Sequence, residues 1–280
     1  SKLKPSAAAQ RLDPSTRPAR PVRTQRTRAD APQEVRIIGG LWKRTPLPVA
    51  DLPGLRPTPA RVRETLFNWL GQDLSGWRCV DAFAGSGALG LEAASRGAAE
   101  VLLIEHNAQL VDSLRQIARR LLAGAVASAS ASTPVVRVER ADALASLQRL
   151  AGQGWDVVFL DPPFEQGGND ALFAKALAAA AQALAATGLV YLESPRAWSD
   201  AELAAVGLVA LKRGQAGAVH HSLLQRLIPA SAVNTQADAV SSQTASAAAT
   251  DAAHPRHRRH VVRIYAPLSE QTDHGRQRSS

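Results

Sequence analysis

Cysteine occurs once in these 280 residues, no apolar run approaches the length of a membrane-spanning helix, and no internal repeat is present. The single cysteine, Cys79, cannot form an internal disulfide; a reducing cytoplasm fits, and a thiol inside an apolar stretch reads as a small core residue. A spanning helix needs about 20 consecutive apolar residues, so no membrane association is expected. The Arg- and Pro-rich start of the chain also lacks the apolar centre of a secretory leader, and none is expected.

What is present is an apolar content of 45%, enough for a core, and a net charge of +9. The charge is unevenly placed. Residues 1–36 carry nine Lys/Arg against three Asp/Glu, and residues 229–280 carry six against four, leaving the middle almost neutral. Basic ends of this kind suit either a polyanionic partner or simple solubility.

Composition divides the chain further. Residues 1–34 contain almost no large apolar side chain and cannot offset their ordering entropy, which predicts a disordered basic arm. Residues 229–280 are low-complexity Ala, Ser, Gln and Thr, predicted to be a disordered tail. Within that tail the His254–His260 run has the density of a metal-binding tract but also three arginines; a solvated basic tail is the reading, and no metal is expected. Between these ends, 35–76 form an N-terminal hairpin and helix, and 77–228 the main domain. Val35–Arg44 surrounds Gly39-Gly40 with β-formers, predicting a hairpin with Lys43 and Arg44 on its second strand. Thr58-Pro59 is predicted to cap a helix in which Val62, Leu66, Trp69 and Leu70 recur at helical spacing.

From Trp77 onward strands and helices alternate, as in a parallel α/β sheet. The predicted strands are 78–82, 100–105, 135–140, 156–160 and 188–193, followed by an antiparallel edge hairpin over 208–227. Predicted helices cover 89–96, 108–122, 144–150, 169–184 and 200–205, with a lengthened loop over 123–133.

Two runs at strand ends carry the chemistry. Gly85-Ser86-Gly87-Ala88-Leu89-Gly90 fits G-x-G-x-x-G after a strand, and Glu105 ends the next strand; alone, this is also a dinucleotide fingerprint. Asp81, four residues before the first glycine, disfavours a diphosphate and favours a cationic ligand such as the sulfonium and α-amino group of S-adenosylmethionine. Glu105 offers paired acceptors to ribose hydroxyls. Asp142, after the third strand, is placed either to accept from the adenine amino group or to cap the following helix.

The second run, Asp161-Pro162-Pro163-Phe164, suits methylation of an exocyclic amine. Asp161 and the Pro162 carbonyl would accept the two N–H groups and turn the lone pair out of the ring plane. Successive prolines fix the backbone so that these acceptors are aimed beforehand. Phe164 offers a stacking face for a base that has been extruded or is single-stranded.

These runs, with Val35–Gly40, Leu55-Arg56-Pro57-Thr58, Arg61–Leu70 and Tyr191-Leu192-Glu193, resemble the bacterial small-subunit rRNA guanine-N2 methyltransferases of the RsmD type over about residues 35–227. The resemblance implies a Rossmann-like methyltransferase fold with a seven-stranded, mostly parallel sheet and an N-terminal hairpin-helix extension. It also implies S-adenosylmethionine as donor without a metal, and a guanine of 16S rRNA in an assembling small subunit as acceptor. A monomeric cytoplasmic enzyme is expected. Asp81, Phe83, Gly85, Gly87, Glu105 and Asp142 would bind the donor, with Arg56 and Thr58 in a loop closing over it. Asp161, Pro162, Pro163 and Phe164 would hold the guanine amine, and Lys43, Arg44, Arg61 and Arg63 would face RNA phosphates. Asp-Pro-Pro-Phe is shared with adenine-N6 enzymes acting on DNA or RNA, which stand as the alternative.

Overall fold

The computed structural model describes residues 34–50, 52, 57–127, 133–163 and 169–227. Residues 1–33 of the expected basic arm and the low-complexity tail lie outside the described residues, as do Arg56 and Phe164, while Glu34, expected in the arm, begins the first strand.

The elements run β1 (Glu34–Arg36), β2 (Pro46–Pro48), α1 (Ala60–Leu70), β3 (Arg78–Asp81), α2 (Gly90–Ser95), β4 (Glu100–Glu105) and α3 (Ala108–Ala127). Then come β5 (Val135–Arg140), α4 (Ala143–Arg149), β6 (Trp155–Leu160), α5 (Asp170–Ala183), β7 (Leu184–Ser194), α6 (Asp200–Ala205), β8 (Leu208–Ala216) and β9 (Val219–Arg226). Seven strands form one sheet in the order β5-β4-β3-β6-β7-β9-β8, parallel from β5 to β7, with β9 antiparallel to both its neighbours. This is the expected seven-stranded, mostly parallel sheet with its edge hairpin.

Strand alternation splits the core into two layers. Cys79, Val101, Leu103, Val157, Phe159 and Tyr191 face one side with α1, α2 and α3. Val80, Leu102, Ile104, Val158, Leu160, Val190 and Leu192 face the other with α4, α5 and α6. Burial pushes the Cys79 thiol well above its ordinary pKa, so it is an inert core group, as expected.

The N-terminal extension departs from expectation. The partner of β1 is β2 at Pro46–Pro48, with Val35 opposite Leu47, while residues 41–44 form a turn. Gly39-Gly40 is therefore not the hairpin turn. Gly40 has φ +73°, and a Cβ there would fall 1.8 Å from the Ser95 carbonyl oxygen, so this glycine lets the backbone lie directly on the end of α2. Leu41 N–H donates to the Ser95 carbonyl at 2.7 Å and Trp42 N–H to Ser95 Oγ at 2.8 Å. α3 also runs to Ala127, so the first half of the expected loop over 123–133 is helical.

One carboxylate ties the extension to the sheet. Glu92 in the first turn of α2 is fully buried. Its two oxygens accept the N–H groups of Ile38 at 2.7 Å and Gly39 at 2.8 Å. They also pair with Arg96 at 2.9 Å and Arg63 at 3.4 Å. Removing one member of a buried charged cluster leaves the others uncompensated. Glu92→Ala is expected to destabilise the fold by roughly 3–5 kcal/mol, read as a lowered urea midpoint; a loss below about 1 kcal/mol would remove Glu92 from this role.

Candidate active site

The site follows from the parity of the strands. Side chains on neighbouring rungs of a ladder share a face, and that face recurs every second residue. Asp81 on β3 pairs with Leu103 on β4 and Phe159 on β6, and Phe159 pairs with Tyr191 on β7. Two residues beyond Leu103, Phe159 and Tyr191 stand Glu105, Asp161 and Glu193. Four carboxylates thus line the carboxyl edge of four adjacent strands, on the side covered by α1. They straddle the point between β3 and β6 where the strand order reverses, the usual ligand crevice of an open α/β sheet.

The glycine loop is held at both ends by two of these acids. Gly85 N–H donates to Glu105 Oε2 at 3.0 Å, and Gly90 N–H to Asp81 Oδ2 at 2.9 Å. Glu105 Oε1 also accepts the Asn107 N–H at 2.8 Å. Gly85 and Gly87 both take positive φ. Gly90 serves another purpose: a Cβ would lie 2.3 Å from Leu103 Cδ2, so its absence lets α2 pack on β4. Phe83 is half-buried and packs against the layer that holds α4 and α5. Asp142 is an exposed N-cap, its Oδ1 accepting the Ala145 N–H at 2.8 Å. The capping reading is therefore realised, and Oδ2 remains for a ligand.

Asp81 is only 2% exposed. Burial pushes its pKa up to about 7; the Gly90 N–H bond acts the other way, and the charge of Glu105 adds to the rise. A buried carboxyl group that titrates near physiological pH is poorly matched to a diphosphate and well matched to a cation, which would favour its charged form.

Asp161 and Glu193 form the other half of the row. Asp161 is raised well above an ordinary carboxylate, first by burial and then by the charges of Glu193 and Asp81. Glu193, 4% exposed, is raised by burial, opposed by hydrogen bonds from Thr58 and Tyr191. The Tyr191 hydroxyl donates to Glu193 Oε1 at 3.0 Å. Thr58 does not cap α1; that position is Pro59 and makes no side-chain bond. Its hydroxyl instead reaches Asp161 Oδ2 at 3.5 Å. Pro162 is buried and Pro163 exposed. Asn169 Nδ2 donates to the Pro163 carbonyl at 2.9 Å.

The basic residues do not stay together. Lys43, Arg44 and Arg61 are exposed, although Lys43 and Arg44 sit in a turn rather than on a strand. Arg63 is only 2% exposed. It pairs with Glu92 and donates to the backbone carbonyls of Thr58 at 3.3 Å and Arg36 at 3.0 Å. It cannot face phosphates; helical spacing puts it on the same inward side as Val62 and Leu66, and burial lowers its pKa. Among the described residues no three or more His, Cys, Asp or Glu side chains are placed to hold a metal ion together, and no helix is long and apolar enough to cross a membrane.

Sequence reasoning gave Glu193, Asn169 and Glu92 no role of their own. The detectable signal for Glu193 was its position: it ends a predicted strand with the same parity as Asp161.

A carboxyl group whose pKa rises from 3.8 to about 7 on folding binds a proton more tightly in the native state. Its contribution is complete below pH 4 and is lost as pH rises through 7. Asp81→Asn is therefore expected to flatten this slope and to exceed the parent in stability at pH 8 by up to about 4 kcal/mol. Urea unfolding at pH 5 and pH 8 without ligand measures it, and parallel pH profiles for the two proteins would refute it.

Known proteins share this architecture. The Escherichia coli K12 protein named Ribosomal RNA small subunit methyltransferase D is 46% identical over 134 residues, covering 48% of this chain and 62% of that protein. The Haemophilus influenzae protein of the same name is 43% identical over 135 residues, covering 48% and 66%. The aligned stretch thus spans somewhat less than two thirds of these relatives. The solved structure of the Escherichia coli protein yhhF superposes with a TM-score of 0.52 at 35% identity, covering 70% of this chain and 99% of that one. The fold is accordingly the Rossmann-like methyltransferase fold. The pattern of the family described as Conserved hypothetical protein 95 matches residues 35–225, over half of the chain and the same stretch that builds the ribbon, α1 and the sheet, so the protein belongs to this RsmD-like family.

Proposed function

We propose that the protein transfers a methyl group from S-adenosylmethionine to the exocyclic N2 amine of a guanine in 16S rRNA. The observation that carries the reading is the row of four carboxylates across the switch point of the sheet, joined to a glycine loop that two of them hold. The name shared by the curated relatives supports an rRNA acceptor. A particle of the assembling small subunit as substrate, a monomeric state and a cytoplasmic setting belong to the same proposal.

In this reading the Gly85–Gly90 loop gives the donor close access to backbone. Asp81 faces its cationic groups, Glu105 its ribose hydroxyls, and Asp142 Oδ2 its adenine amine. The donor supplies an electrophilic methyl carbon on a sulfonium. Asp161 accepts one N–H of the amine and the Pro162 carbonyl the other, which frees the nitrogen lone pair to form the new N–C bond. As it forms, the C–S bond breaks and its electron pair stays on sulfur. The amine then gives up one proton, for which Asp161, raised above an ordinary carboxylate, is a competent acceptor. The rate comes mainly from holding amine, methyl carbon and sulfur in line.

Three expectations follow from this reading. Asp161→Ala should lower methyl transfer by at least about 100-fold while donor affinity, measured by calorimetry, survives. Loss of donor affinity in a folded variant would instead place Asp161 in the donor site. Tritiated transfer to small-subunit particles, followed by nucleoside digestion, should put label in N2-methylguanosine; label in N6-methyladenosine would overturn the acceptor. Replacing Lys43, Arg44 and Arg61 together by Gln should weaken RNA binding and reduce the slope of log affinity against log salt by up to about 2–3. An unchanged slope would remove these residues from the RNA face.

A further inference from the structure

The fourth carboxylate of the row has no part in the chemistry above. Order along the sheet indicates what it faces. Glu105 and Asp81 on β4 and β3 lie on the donor side, Asp161 on β6 meets the amine, and Glu193 on β7 lies one strand further, on the side away from the donor. A guanine presenting its amine to Asp161 turns one of the two ring positions beside it, N1–H or N3, toward Glu193, and only N1–H offers a carboxylate a donor.

That ring position separates the purines. Beside N2 of guanine stands N1–H, a donor; beside N6 of adenine stands N1 with a lone pair, an acceptor. A carboxylate bonds the first and repels the second. Resting on the guanine reading above, we propose that Glu193 is the specificity-determining residue, its carboxylate accepting guanine N1–H while Asp161 accepts N2–H.

The surroundings support this. The Tyr191 hydroxyl holds Oε1 at 3.0 Å, which fixes the carboxylate and leaves Oε2 as the acceptor. Thr58 is the other donor to the pair, its hydroxyl 3.5 Å from Asp161 Oδ2. A hydroxyl carries one proton, so the two acids keep capacity for further N–H donors. Two adjacent acceptor groups match the two adjacent N–H groups on the Watson–Crick edge of guanine, and adenine has no such pair. A buried acceptor facing a substrate lone pair is also a strong basis for rejection, because neither group then finds a partner.

The test exchanges donor for acceptor on both sides. Small-subunit particles are prepared with guanine or 2-aminopurine at the methylated position; 2-aminopurine keeps the N2 amine, but its N1 is an acceptor. The wild type is expected to favour guanine in kcat/KM by about 10- to 100-fold. In Glu193→Gln the Tyr191 hydroxyl still claims the oxygen, so the amide NH2 takes the place of Oε2. The variant should lose activity on guanine, gain relative activity on 2-aminopurine, and shift the preference ratio by at least about tenfold. The missing 6-oxo group of 2-aminopurine acts on both enzymes alike and cancels in that comparison. A variant that slows both substrates equally has lost a structural group, and the proposal fails. Should the variant not fold, the wild-type ratio suffices, since equal use of both bases overturns the proposal. Transfer to guanine by the wild type with no change of ratio in a folded variant rejects Glu193 alone, whereas no transfer to guanine at all rejects the methyltransferase reading with it.

Discussion

The buried Glu92 cluster is the constraint on which the remaining geometry depends. A carboxylate removed from water is tolerated only where its lone pairs are filled, and here they are filled from three directions: backbone of the N-terminal segment, Arg63 of α1 and Arg96 just beyond α2. These contacts fix the ribbon and α1 against the first helix of the sheet. Arg63 extends the arrangement by donating to the Thr58 carbonyl. Thr58 is thereby held over Asp161 and Glu193, so the clamp at one end of α1 reaches the acids at the sheet edge through a single residue.

The carboxylate row is expensive in the absence of ligands. Asp81, Asp161 and Glu193 all have pKa values shifted upward, chiefly by burial. Such a site disfavours anions and is relieved by cations and by N–H donors. A sulfonium donor and a donor-rich base edge satisfy both conditions, which is why the same electrostatics supports the donor assignment on β3 and β4 and the base assignment on β6 and β7. The relief is also available only on binding, which is a physical basis for selectivity rather than for stability.

Charge in the sequence and charge on the surface are different quantities here. Arg61 and Arg63 sit two residues apart on α1, yet one is exposed and the other among the most buried side chains of the molecule. Adjacent alternate positions on a helix point about 200° apart, so a cluster of arginines in sequence is divided between solvent and core as soon as the helix docks.

The alternation of strands and helices, the glycine loop and the Asp-Pro-Pro run were legible in the sequence because they rest on local physics: period-2 and period-3.6 burial, positive φ at glycine, and the fixed φ of proline. The positions of Asp81, Glu105 and Asp161 at the carboxyl ends of their strands followed from that pattern, whereas the order of the strands came from the tertiary structure. Four further features were not local, and only the tertiary structure decided them. The partner of β1 was set by Gly40 lying against Ser95 of α2. The burial of Arg63 was set by Glu92, twenty-nine residues away. The turn of Thr58 away from its capping position was set by an acid more than a hundred residues later. The place of Glu193 beside Asp161 was set by the β6–β7 register. In each case the partner is distant in the chain, and a sequence names the group without stating which distant group will stand opposite once the sheet has closed.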